Sequence, residues 1–286
     1  AYFLEASRQP ARHIDYYAQT IDLLAYHGRN RILTEGLRLA LPEVREANNL
    51  MSWVADDIAS RMLDCEILNW MEADPTGTDV TALQRIGEEI IPDIDSENLR
   101  IYAEHLVGRR TFSPKNLRDK ANRLDLEQIS FLTAAFVGYL IRECGIAGIT
   151  ALLAGRELCH YFVRREAGDL NPVKQPSRFA AKRRSRKKHK GSSKHVLFPD
   201  PDTLDRFIAS QLHFLSHAEH AVTVLALSLP AWSDFLAAQN LFDPDADKEH
   251  LALLTPVMRT LAQVFEKNSD DPTLAPALRE AWADIS

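Results

Sequence analysis

A run of lysine and arginine residues is the part of this sequence with the clearest chemical potential. Ten Lys or Arg residues and no acidic residue occur between Lys174 and His195. Such a run can neutralise several phosphates of a nucleic acid and release their counterions, which gives salt-sensitive attachment that does not depend on base sequence. The candidate phosphate contacts lie near its centre: Lys182, Arg183, Arg184, Arg186, Lys187, Lys188 and Lys190.

Two other interpretations of this basic run remain open. A eukaryotic cell can read a cluster of this kind as a nuclear address. The run can also be a solvated tether that rests on the remainder of the chain, which carries 24 basic and 40 acidic residues. Phe179 is the only Phe, Tyr or Trp in the run, so the sequence does not favour stacking on single-stranded bases.

Three histidines, His213, His217 and His220, form a second candidate site. On one helix they fall within about 60° of each other, and His-x-x-x-His occurs in metal sites. The apolar residues of the same segment occupy the opposite side of that helix, which indicates a solvated stripe of histidines instead. The zincin signature also requires Glu where Phe214 stands.

Glu157 and His160 have the Glu-x-x-His spacing that di-iron helical bundles use. A di-iron site needs a second copy, and the nearest candidate, Asp247–His250, has Asp in place of Glu. The pair therefore predicts a local ion pair or hydrogen bond. The sequence contains no Gly-x-Ser-x-Gly elbow, Walker loop or dinucleotide fingerprint. It predicts no catalytic residues and no cofactor, and favours a protein that is not an enzyme.

The elements that would carry these residues are predicted to be helices. Ala, Leu, Glu and Arg dominate the composition, and apolar residues recur at helical spacing. The predicted helices before the basic run are one with Ile14–Leu24, one with Ile32–Leu41, Val44–Met71 with a bend near Asn48–Asn49, one with Val80 and Ile90 that ends at Pro92, one with Leu99 and Leu106 that ends at Gly108, Leu126–Arg142 and Ile146–Arg165. After the run, Asp202 is expected to cap a helix that reaches Ala218. Further starts are expected where a capping residue precedes proline, at Ser113–Pro114, Thr255–Pro256 and Asp271–Pro272.

One helix pair has a recognisable pattern. Gly28 separates the two helices of the segment Tyr17–Pro42, and Pro42 is expected to close the second helix. This hairpin, within residues 11–42, resembles a tetratricopeptide unit, although the Trp…Leu-Gly…Tyr pattern of that family's first helix is absent. The resemblance covers about a tenth of the chain and implies an architecture of stacked helical hairpins.

The cysteine and hydropathy patterns indicate in which cellular compartment the protein is expected. Cys65, Cys144 and Cys159 are odd in number and far apart, which favours a reducing, cytoplasmic location, or the nucleus in a eukaryotic cell. Glu5 and Arg8 follow the first apolar residues at once, so no secretory signal is expected. The longest apolar stretch, Phe131–Leu153, is divided by charged residues into pieces shorter than the roughly twenty residues of a spanning helix. No membrane interaction is expected.

Together these patterns predict an all-α protein, a solenoid-like array of stacked helical hairpins with a basic disordered linker. The expected divisions are a helical domain over 1–170, the linker over 171–197, and a C-terminal helical region over 198–286 that docks on the first domain. The expected function is that of a protein-interaction or scaffold protein with a protein partner. The alternative is a nucleic-acid-associated factor that uses the basic segment 174–195.

Overall fold

The chain is all-α in a computed structural model that describes residues 2–47, 50, 52–112, 117, 124–171, 196–212, 218–241 and 244–285. No β-strand occurs in these ranges. The helices are α1 (Tyr2–Ala6), α2 (Pro10–Tyr26), α3 (Asn30–Glu46), α4 (Ser52–Ala73), α5 (Val80–Ile90), α6 (Ser96–Leu106), α7 (Leu126–Arg142), α8 (Gly148–Ala167), α9 (Pro201–Gln211), α10 (Glu219–Ala238), α11 (Pro244–Asn268) and α12 (Leu274–Ala281).

The hairpin of α7 and α8 is confirmed in its close packing and in the bounds of α7, whereas α8 is shifted by two residues from the predicted Ile146–Arg165. α7 begins and ends at the predicted residues, because Asp125 caps it by accepting hydrogen bonds from the backbone N–H groups of Glu127 and Gln128. A Cβ atom at Gly155 would lie 2.4 Å from Val137 Cγ2, so only glycine permits this approach of the two helices. The small residues therefore set the distance between α7 and α8.

Proline is a weaker stop signal than the sequence indicates. Pro42 lies inside α3, which continues to Glu46, and Pro256 lies inside α11. The predicted stop at Pro42 and the predicted start at Thr255–Pro256 are both wrong. A proline costs one hydrogen bond of the helix, but buried residues such as Leu41 and Val44 hold α3 in the core on both sides of it.

Two predicted long helices are divided. Val44 belongs to α3, and extended backbone at Ala47 precedes the start of α4 at Ser52. The helix predicted from Asp202 to Ala218 begins two residues earlier, because Asp200 caps it with Pro201 as its first residue, and it ends at Gln211. Thr273, two residues after Asp271, precedes α12 as its cap, and Ser113–Pro114 lies outside the described residues.

Helix α10 lies at the centre of the fold. Helices α2, α7, α8, α9, α11 and α12 all pack against it. Trp232 is fully buried, with its ring 5.0 Å from Phe136 of α7 and 6.0 Å from Phe162 of α8. By length and composition α10 could also span a membrane, but 67% of its apolar window is buried, and a core helix of this kind meets the same criteria.

The packing around α10 can be compared with the predicted solenoid-like array of helical hairpins. In a solenoid each repeat contacts only its neighbours along the chain. Here α2 packs against α8 and α10, which lie far away in sequence, and one continuous hydrophobic core includes residues from Phe3 to Trp282. The helical class is thus established, and the solenoid arrangement is not confirmed.

Candidate functional site

The residues singled out by the sequence fall largely outside the described ranges. The basic segment 174–195, His213 and His217 all lie there. His220 is described: its Nε2 lies 3.1 Å from Asp271 Oδ2, and its ring lies 5.4 Å from that of Tyr26. The expectation that His220 belongs to a solvated stripe is wrong, because His220 lies on a helix that begins at Glu219 and its side chain is only 15% exposed.

The described ranges contain no group of three or more His, Cys, Asp or Glu residues arranged to hold a metal ion. His160 Nδ1 lies 3.8 Å from Glu157 Oε2, which is the local contact that their spacing predicts. Glu157 also belongs to a cluster of charged side chains inside the helical body.

This charge cluster consists of Asp22 on α2, Asp57, Arg61 and Asp64 on α4, and Arg156 and Glu157 on α8. Arg61 donates hydrogen bonds to Asp22 at 2.5 Å and to Asp57 at 3.0 Å. The side chains of Arg61 and Asp22 are only 11% and 10% exposed. Burial alone would lower the pKa of Arg61, but the two carboxylates outweigh it and raise this pKa. Arg61 therefore stays charged within the helical body.

Arg156 holds the other half of the charge cluster. Its guanidinium lies 3.5 Å from Asp64, 3.8 Å from Asp22 and 3.9 Å from Glu157. Its Nε is buried without a hydrogen-bond partner. One positive charge is thus divided among three carboxylates, at distances longer than a direct hydrogen bond.

A cavity of about 500 Å³ opens beside the charge cluster, between α4, α6, α7 and α8. We call it the amphipathic cavity, because apolar walls lead to the pair of Asp64 and Arg156. The apolar lining consists of Leu63, Ile67, Ile94, Leu99, Phe131, Leu152 and Gly155. The polar lining consists of Ser60, Asp64, Asp95, Asn98, Tyr102, Glu127, Ser130, Thr133, Arg156 and Cys159.

The protonation of three lining groups reflects their burial. Burial raises the pKa of Asp64 to about 6, although Arg156 and Arg61 oppose this shift. Burial and the nearby Asp64 raise the pKa of Tyr102, and burial raises that of the Cys159 thiol. Both groups are therefore neutral at physiological pH. Titratable groups with shifted pKa values beside a cavity are typical of functional sites.

The sequence does carry a weak signal for the charge cluster. Asp57, Arg61 and Asp64 follow the three-and-four spacing of one helix face, and Arg156 directly follows the mostly apolar segment Ile149–Gly155 of α8. Charged residues within apolar helices must find partners. The partners themselves could not be predicted, since Asp22 is 39 residues away from Arg61.

A second surface feature is a groove of about 720 Å³ along α3 and α4. Its lining includes Arg8, Arg31 and Arg38 as well as Glu35 and Glu72. On α3, Ile32 and Leu39 are 42% and 37% exposed, and their spacing of seven residues places them on one face of the helix. Of these two residues only Leu39 lines the groove, and Arg38 is paired with Glu66 at 2.5 Å. The α3 groove therefore combines charges of both signs with apolar side chains on the adjoining face of α3.

Comparisons of this chain with protein-family models, curated proteins and solved structures find no match. The geometry of the amphipathic cavity and of the α3 groove is therefore the basis on which a function can be argued.

Proposed function

We propose that this protein is a non-enzymatic binding protein that holds a small organic molecule in the amphipathic cavity. The observation that carries this proposal is the way apolar walls lead to the single pair of Asp64 and Arg156. Small-molecule sites are usually concave and mostly apolar, with a few polar groups that orient the ligand. A cavity of about 500 Å³ lies within the usual size range of such sites.

The cysteines provide a direct test of this proposal. Cys159 lines the cavity, whereas Cys144 is exposed and does not. A library of small amphipathic molecules is screened for compounds that raise the melting temperature, and the compounds found are tested for protection against iodoacetamide by mass spectrometry. The expected ligand slows the modification of Cys159 and leaves that of Cys144 unchanged.

A blocked cavity provides the control. Ser60 is exposed at the rim of the cavity, so Ser60→Trp is expected to fold normally while it obstructs access. Protection of Cys159 that persists in Ser60→Trp, or protection of both cysteines equally, contradicts the proposal.

A protein-interaction or scaffold function is the second candidate, and the α3 groove favours it. Arg8 and Arg31 lie there with Glu35 and Glu72, while Arg38 is paired with Glu66. The partner that fits carries charges of both signs beside apolar side chains that cover Ile32 and Leu39. The double variant Ile32→Ser/Leu39→Ser should lose this partner, whereas Leu253→Ser, which changes an equally exposed leucine on α11, should retain it. If the double variant still binds the partner, the α3 groove is not the binding site.

The nucleic-acid alternative depends on the basic segment 174–195, which contains no acidic residue. Neutral replacement of Arg183, Arg184, Arg186, Lys187 and Lys188 should abolish binding to RNA or DNA. If the original protein and the neutral variant bind RNA or DNA equally at moderate salt, this alternative is eliminated.

A further inference from the structure

We infer that the amphipathic cavity takes an organic amine, with its ammonium group against Asp64 and its apolar body among Ile94, Leu99 and Phe131. This inference rests on the proposed function and adds the chemical class of the ligand. Its basis is the balance of charges around the cavity and the way those charges are already paired.

Acidic groups outnumber basic groups along the cavity wall. Asp95 and Glu127 are exposed, and Asp64 lies deeper, against the single cation Arg156. A positively charged ligand therefore meets an attractive field from the opening to the interior. A carboxylate of the same shape would pass two like charges before it reached Arg156.

Arg156 is poorly placed to bind an anion, because Asp22, Asp64 and Glu157 already share its charge. Arg61 is held by Asp22 and Asp57 and does not line the cavity. In the whole charge cluster four carboxylates face two guanidinium groups. One further cation is therefore the charge that the cluster can best accommodate.

Asp64 is the least exposed carboxylate of the cavity lining, and no cation lies within direct hydrogen-bond distance of it. Its own contacts are Arg156 at 3.5 Å and the more distant Arg61, and Asp57 on the same helix opposes its ionisation. Tyr102 of α6 and Cys159 of α8 face it from the other helices as neutral groups. Burial raises the pKa of Asp64 to about 6, so its effect outweighs the opposing effect of the two arginines. A bound ammonium would add the positive charge that stabilises the ionised carboxylate.

Three probes of nearly equal shape separate the possible outcomes: phenylbutylamine, phenylbutanol and phenylbutyrate. Binding to the full chain is measured by isothermal titration calorimetry at pH 7.5, together with protection of Cys159. The amine is expected to bind at least about tenfold more tightly than the alcohol, since a hydrogen bond to a charged group contributes about 1.5–3 kcal/mol. The acid is expected to bind most weakly.

Equal binding of the amine and the alcohol overturns the inference and leaves the proposed function intact, because the cavity would then select apolar bodies alone. Tightest binding of the acid also overturns it and makes Arg156 the anchor. Failure of all three probes to bind or to protect Cys159 counts against both the inference and the proposed function.

Two matched variants identify the carboxylate. Asp64→Asn should weaken amine binding at least about tenfold and leave alcohol binding unchanged. Asp57→Asn removes the same charge from the same helix without changing the cavity lining, and it should weaken amine binding much less than Asp64→Asn, because Asp57 is paired with Arg61. Equal losses in the two variants would show that the net charge of the cluster matters and Asp64 does not, which overturns the assignment.

The pH dependence gives a readout that a purely structural role of Asp64 would not move. The amine stays protonated at and below neutral pH, whereas Asp64 must lose its proton to pair with it. Amine affinity should therefore fall as the pH drops below about 6, by up to about tenfold per pH unit for one linked proton. In Asp64→Asn this dependence should disappear, and its persistence contradicts the inference.

Discussion

At the scale of single residues, the charged side chains inside the helical body are the least expected feature of this protein. Burying an ion pair is expensive, and the attraction between its members repays this cost only with good geometry. Arg61 meets the requirement with hydrogen bonds to Asp22 and Asp57. Asp64 and Arg156 lie farther apart. The cluster thus has a well-paired half that supports the fold and a loosely paired half beside the cavity.

Removal of Arg61 should show what the well-paired half contributes. Arg61→Met leaves Asp22 buried without its hydrogen-bonded partner, with only Arg156 at 3.8 Å, and should lower the free energy of unfolding by about 3–5 kcal/mol. Arg100→Met breaks the more exposed pairs with Glu97 and Glu104 and should cost only about 0–1 kcal/mol per pair. Urea denaturation of both variants measures the difference, and similar losses would contradict this division of the cluster.

At the scale of helices, local signals predict the elements but not all of their ends. The bounds of α7 are the predicted ones, and α5 ends just before Pro92, where its end was predicted; an aspartate caps the start of each helix. Pro42 and Pro256 mislead, since burial of the flanking apolar faces outweighs the hydrogen bond that each proline removes. The end of α9 at Gln211 could not be predicted, because no proline or glycine follows it before Glu219.

The packing of α7 against α8 can be tested at one glycine. Gly155→Ala places a methyl group 2.4 Å from Val137 Cγ2 and should lower the free energy of unfolding by about 1–3 kcal/mol. Val137→Ala removes the opposing methyl groups, so the double variant should lose less than the sum of the two single variants. Thermal unfolding of all four proteins measures this coupling, and simple additivity would contradict the close approach.

At the scale of the whole molecule, helices from both sides of the basic segment share one core around α10. Trp232 Nε1 donates a hydrogen bond to the carbonyl oxygen of Leu197, and Arg206 donates one to that of Leu170. The chain is therefore anchored where it enters and leaves the segment 172–195. This arrangement also fixes α8, which carries Arg156 and Cys159, against α10.

A cut within the basic segment should consequently leave the two parts together. A specific protease site that replaces Gly191–Ser193 divides the chain between its two helical parts. The fragments should co-elute in gel filtration and unfold in one transition, because each part completes the core of the other. Separation of the fragments without denaturant would contradict a shared core.

The central claim is that the amphipathic cavity binds a ligand through Asp64. Its most direct test is a crystal structure of the protein with phenylbutylamine. The account predicts density for the phenyl group between α6 and α7 and for the nitrogen within about 4 Å of the Asp64 carboxylate, the usual distance of an ion pair. An empty cavity with the amine bound elsewhere, or the nitrogen turned away from Asp64, would contradict it.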